Sequence, residues 1–241
     1  MKFLLPCILL SIALPSHSFE MGISASRTPP IATIYHTKDG PKIRQTGILY
    51  LLGQYIARHT KEPTTYTVLE RNQMDAALAD NSVMSVCYTT PEWVDLPKGS
   101  VVFTKPFMTN NESLVSKKPI PLIKTVANLQ QLTIGLIKGH HYPIFEKSIE
   151  KGLINVEYYH SETNAFISLF RQSDLDAIVF KEVGFRQLMK SMPQIVGNNN
   201  VTIHPLSFGE LQVSCALSID HQHYLGTINR AIDEYISDQS L

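Results

Sequence analysis

Hydrophobic positions along the chain alternate between two spacings. Short apolar or β-branched runs bounded by turn residues recur at 19–25, 64–69, 83–88, 101–107, 132–137, 155–159, 174–180, 201–204 and 211–218. Such runs read as buried strands. Between most of them the apolar positions switch to helical spacing. Ile48, Leu52, Tyr55 and Ile56 share one face of a helix predicted over 48–59, and Tyr142, Phe145 and Ile149 do so over 142–151. Phe166, Leu169 and Phe170 face inward from a helix capped by Ser161 and running to 172. Shorter helices are predicted at 71–79 and 183–190. A last helix, over 221–236 with Asp220 as its cap, carries Tyr224, Ile228, Ala231, Ile232 and Tyr235 as an apolar stripe. The polar stretch 36–45, with Asp39-Gly40-Pro41, and the run Gly197-Asn198-Asn199-Asn200 read as loops. Strands alternating with helices predict parallel β-α-β units and an α/β sheet.

A chain of 241 residues with 44% hydrophobic and 17% charged positions holds one or two ordinary globular domains. Its formal net charge is zero and it has no dense Lys/Arg run, which argues against a nucleic-acid partner. Residues 1–18 have the layout of a secretory leader: Lys2, an apolar core over 3–14, and the small-x-small site Ser16-His17-Ser18. That predicts export to the periplasm. Without the leader, Cys87 and Cys215 remain, each inside a strand-like apolar run. An oxidising compartment permits a bridge between them. Buried free thiols are equally at home in such runs and are the favoured reading, with a bridge left open. No cysteine or histidine spacing marks a metal site, and no phosphate loop, serine elbow or paired-carboxylate signature marks catalysis or a cofactor.

The most informative stretch is 83–118. After the strand at 83–88 come Thr90-Pro91-Glu92-Trp93, then Phe103-Thr104-Lys105-Pro106-Phe107, then an extended segment. Thr90 followed by Pro91 reads as a helix cap with proline in the first turn. This order resembles the extracellular solute-binding proteins of family 3, the amino-acid-binding subunits of bacterial ABC importers. The resemblance covers essentially the whole chain after the leader, as a diffuse pattern. It implies a periplasmic-binding-protein type II fold: two αβ lobes, residues 19–112 with 206–241 and residues 113–205. Two extended crossovers join the lobes, with a ligand cleft between them. It also implies hinge closure, an inner-membrane permease or sensor as partner, a monomer, and a binding rather than catalytic role.

Carried over position by position, the resemblance places Tyr88, Thr90, Trp93, His140, His141, Lys181, Glu182 and Arg71 at the ligand. Two of these depart from the family pattern. Trp93 stands where the family has an arginine for the ligand carboxylate, and an indole cannot form that bidentate fork. Lys181 stands where an aspartate usually meets the ligand ammonium, although a one-residue slip would put Glu182 there. The expected ligand is therefore a small polar or anionic organic molecule, amino-acid-like but not a standard α-amino acid. For several of these residues a purely structural role stays open: Thr90 as a cap, Trp93 as packing, His140 and His141 as loop residues, Arg71 as a solvated helix-start charge. Two other functions also stay open, a partner-contact domain and a dehydratase-like enzyme using Lys181 and Glu182 as acid and base.

Overall fold

The computed structural model describes residues 17–117, 119–140, 142–206 and 208–239. The leader up to residue 16, and His141, lie outside the described residues. In chain order the elements are β1 (Phe19–Ser24), β2 (Ile34–Thr37), β3 (Gly40–Ile43), α1 (Ile48–Thr60), β4 (Thr64–Leu69) and α2 (Met74–Ala79). Next come β5 (Ser85–Thr89), β6 (Val101–Phe103), β7 (Met108–Ser116), β8 (Thr133–Ile137), α3 (Pro143–Glu150), β9 (Asn155–Tyr159) and α4 (Glu162–Arg171). The chain ends with β10 (Ala177–Lys181), α5 (Glu182–Ser191), α6 (Pro193–Val196), β11 (Thr202–His204), β12 (Glu210–Ser218) and α7 (Leu225–Gln239). Among the described residues no helix is long and apolar enough to cross a membrane.

One continuous strand order, β4-β1-β5-β12-β7-β10-β8-β9, holds two halves. In the first, β1 pairs in parallel with β4 and β5. In the second, β8 pairs in parallel with β9 and β10. The halves are joined where β7 and β12 run antiparallel, with Met108–Asn111 opposite Val213–Glu210. Each half buries its own core on both faces of its sheet, and the period-2 alternation of the strands decides which side chain goes where. Cys87 joins Phe19, Leu52, Ile56, Ile228 and Ile232 under α1 and α7, whereas the preceding Val86 joins Met74 and Leu78 of α2. In the second half Ala177 and Val179 pack with Phe145 of α3, while Ile178 and Phe180 pack with Phe166 of α4.

Three local departures from the sequence pattern have physical causes. The stretch read as a polar loop at 36–45 contains the hairpin β2–β3, whose four registered pairs lack a fully buried face. No hydrophobic alternation could announce it. The strand expected to 107 stops at Phe103 because Thr104 turns its backbone N–H and hydroxyl to Cys215, and Pro106 has no N–H to extend a ladder. Thr90 does not cap a helix: its hydroxyl makes no cap bond, and Pro91–Trp93 is a single 3-10 turn.

The thiols also differ from expectation. Cys87 and Cys215 face each other across β5 and β12 and form a disulfide. The N–H and C=O of Cys215 are both engaged by Thr104, on the far side from Cys87. The two cysteines therefore form a non-hydrogen-bonded pair, the closer of the two antiparallel spacings, where side chains meet most easily.

Candidate functional site

The site begins with an irregularity next to that disulfide. Cys215 pairs with Cys87 but Ser214 pairs with Thr89, so Tyr88 is an extra residue on β5. Its φ of 67° lies in the left-handed region, uncommon for a bulky residue. A bulge of this kind re-aims a side chain near a functional site. Here it turns both the ring and the carbonyl of Tyr88 toward the junction of the two halves. The carbonyl accepts a 2.9 Å hydrogen bond from Nη2 of Arg27, whose guanidinium lies 4.4 Å from the ring centroid. The Tyr88 hydroxyl donates to Oδ1 of Asn110 at 3.0 Å. Burial pushes the Tyr88 phenol above its ordinary range, so it stays a neutral donor.

Arg27 follows β1, in the loop at 25–28, and is buried. Burial lowers its pKa, with Tyr88 and Glu162 opposing the shift. An arginine stays charged in a protein regardless. Its Nε and Nη1 have no hydrogen-bond partner among the described residues, and neither do Thr90 Oγ1 and Asn110 Nδ2. These are donors, or a hydroxyl able to donate. Leaving such groups buried and unmatched is costly, so acceptors such as a water or a ligand oxygen are expected beside them.

A second charged group comes from the other half. Lys181, at the end of β10, is buried and forms an ion pair with Oε1 of Glu162 in the first turn of α4. The other oxygen, Oε2, accepts from Thr28 Oγ1 at 2.6 Å, a bond that crosses from one half to the other. Burial alone would raise the Glu162 pKa, but the Lys181 charge and hydrogen bond, the Thr28 bond and Arg27 together hold it below the usual carboxylate range. Glu112 stands directly across the β7–β10 ladder from Lys181, yet the lysine gives its ammonium to Glu162. Burial raises the Glu112 pKa, Lys181 partly offsets it, and the nearby Glu162 adds to it.

Arg27, Arg71, Trp93, Glu112 and His140 line a cavity of about 10 Å³ at this junction. That is room for about one water. Of the residues singled out in the sequence, Arg71, Trp93 and His140 line this cavity, Tyr88 contacts its arginine, and Lys181 contacts the neighbouring carboxylate. Arg71 is tied to its own half by the Trp93 carbonyl and by Asp75 at 3.7 Å. His140 Nε2 lies 3.3 Å from Ser26 Oγ, a second contact between the halves. Trp93 is half-buried, with one side packed on the first core. Glu182 is placed elsewhere: it accepts from Ser113 at 2.7 Å and lines a groove beside β7, β11 and β12.

Arg27, Thr28, Asn110, Glu112 and Glu162 were not singled out in the sequence. Glu162 looked like an ordinary first-turn acid behind the Ser161 cap, and the cap bond is indeed present. Arg27 carried one available signal: a lone arginine among small and polar residues immediately after a buried strand.

No protein-family model matches the chain, and no curated protein matches it. Solved structures do. An ancestral arginine-binding protein bound to arginine superposes with a TM-score of 0.70 at 21% identity, over 92% of this chain and 93% of that one. The GluR0 ligand-binding core in complex with L-glutamate gives 0.70 at 14% identity, over 94% and 95%. AbpA, an amino acid ABC transporter substrate-binding protein from Streptococcus pneumoniae bound to L-arginine, gives 0.70 at 16%, over 92% and 90%. The chain therefore has the periplasmic-binding-protein type II fold, two αβ lobes joined by two extended crossovers, with its buried charged cluster where the lobes meet.

Proposed function

We propose that this chain is a periplasmic solute-binding protein. It captures a small polar or anionic organic molecule, amino-acid-like but not a standard α-amino acid, by hinge closure of its lobes. It then passes the molecule to an ABC permease or sensor and does no chemistry on it. The observation that carries this reading is Arg27, buried at the lobe junction with two nitrogens unmatched among the described residues. A ligand carboxylate supplies the acceptor oxygens that those donors need. The role of Arg27 also accounts for Trp93: the anion-binding arginine comes from the β1 loop instead of the position Trp93 holds. The amino acids bound by the structural neighbours agree with a ligand of this size. The lobes divide at 112/113 and 205/206, and the β7–β12 pair acts as the hinge. The leader directs the chain to the periplasm, where it works as a monomer.

The test is a thermal-shift screen of the exported chain against organic acids, amino acids, polyamines and short peptides, run in parallel on Arg27→Gln. A ligand at a thousand times its dissociation constant adds roughly 4 kcal/mol. At this chain length each kcal/mol moves the melting point by about 2–4 °C. One chemical class should raise the melting point, and Arg27→Gln should abolish the rise. A silent screen, or a shift that survives in Arg27→Gln, would reject the proposal.

A further inference from the structure

The charged cavity is not isolated. Trp93 and Glu112 also form a wall of a second chamber of about 150 Å³ at the lobe junction. Besides these two its lining is Tyr142, Pro143, Ile144, Phe208, Leu211 and Glu92. The first lobe contributes Trp93, the start of α3 contributes Pro143 and Ile144, and Leu211 lies on the hinge strand β12. The chamber is apolar in character even where it has a polar side chain. The Tyr142 hydroxyl is bonded to the backbone at Ile137, at 3.1 Å, and its ring stacks on Phe145. Glu92 is exposed at the rim and stays solvated, while Glu112 belongs to the wall shared with Arg27. An apolar cavity of about 150 Å³ can admit a benzene ring.

We infer that the ligand is an amphipathic monoanion: a carboxylate bearing an aryl or branched alkyl tail. Its head meets Arg27, and its tail passes the Trp93–Glu112 wall into the apolar chamber. This rests on the solute-binding reading and adds the chemical class. Glu112 in the chamber wall repels a second carboxylate, so dicarboxylates are disfavoured.

Four probes test it by calorimetry on the exported chain: acetate, phenylacetate, succinate and 4-guanidinobutyrate. Phenylacetate should bind roughly ten- to a hundredfold more tightly than acetate, the gain expected from burying a phenyl group. Ile144→Gln and Phe208→Ser should each bring the phenylacetate-to-acetate affinity ratio down toward one, and Arg27→Gln should weaken both acids. Phenylacetate no better than acetate, or succinate or 4-guanidinobutyrate preferred, would overturn the inference while an Arg27-dependent acid site survived. Failure of all four while another solute binds would also overturn it alone. If no solute of any class binds, the solute-binding reading falls with it.

Discussion

Removing the Cys87–Cys215 disulfide should cost the protein more than any surface change. The bond closes a loop of 128 residues, so the unfolded chain is constrained over more than half its length. The chain-entropy relation for a loop this long gives about 5 kcal/mol. At about 2–4 °C per kcal/mol for a chain of this size, the melting point should fall by roughly 10–20 °C, a ceiling because residual structure in the reduced unfolded state lowers the gain. Both sulfurs are fully buried in the first core, and alanine leaves only a small void. The double variant Cys87→Ala/Cys215→Ala therefore isolates the cross-link. Thermal unfolding followed by circular dichroism, on the oxidised wild type and on this variant, measures the difference. Either single alanine variant should be destabilised about as much, since each breaks the same link. A fall of less than about 2 °C, under 1 kcal/mol by the same scaling, would refute the reasoning. So would finding both thiols titratable in the denatured, unreduced exported protein.

Two further outcomes follow from the charged cluster. Glu162→Ala strands the Lys181 ammonium in the interior and should cost about 3–5 kcal/mol in urea unfolding, with much of the loss recovered in Glu162→Ala/Lys181→Met; equal losses in the two variants would show that the pair is not a buried unit. Because the Glu162 pKa is depressed, its stabilisation is present above the unfolded value of 4.5 and is lost as pH falls through its folded value. Glu112 has the opposite sign: its raised pKa means the folded state prefers the proton, so ionising it at neutral pH opposes folding. Glu112→Gln should therefore melt higher than wild type near neutral pH, with the difference vanishing as pH falls below the unfolded value of 4.5; a variant less stable than wild type at neutral pH would contradict the assignment.

The architecture was legible in the sequence because burial imposes period. Strands lined on both faces by core, such as β5 and β10, show as apolar runs, and α1, α4 and α7 show as one-sided stripes. The hairpin β2–β3 was not legible, because neither face is fully buried and its residues follow no hydrophobic rhythm. The family resemblance, carried over position by position, also pointed to Tyr88, Trp93, Arg71, His140 and Lys181, which lie near the junction of the lobes. What it could not supply was their partners. The Tyr88 bulge exists because Cys215 and Ser214 fix the register on either side of it, and those residues come from the opposite end of the chain. The disulfide needs the same long-range pairing to bring thiols 128 positions apart into contact. Glu162 becomes the counter-ion of Lys181, and Arg27 the unmatched donor, only when β10, α4 and the loop after β1 converge. Periodicity reports which face of an element is buried. It says nothing about which charge from a distant element will be buried beside it, and tertiary structure alone decided that here.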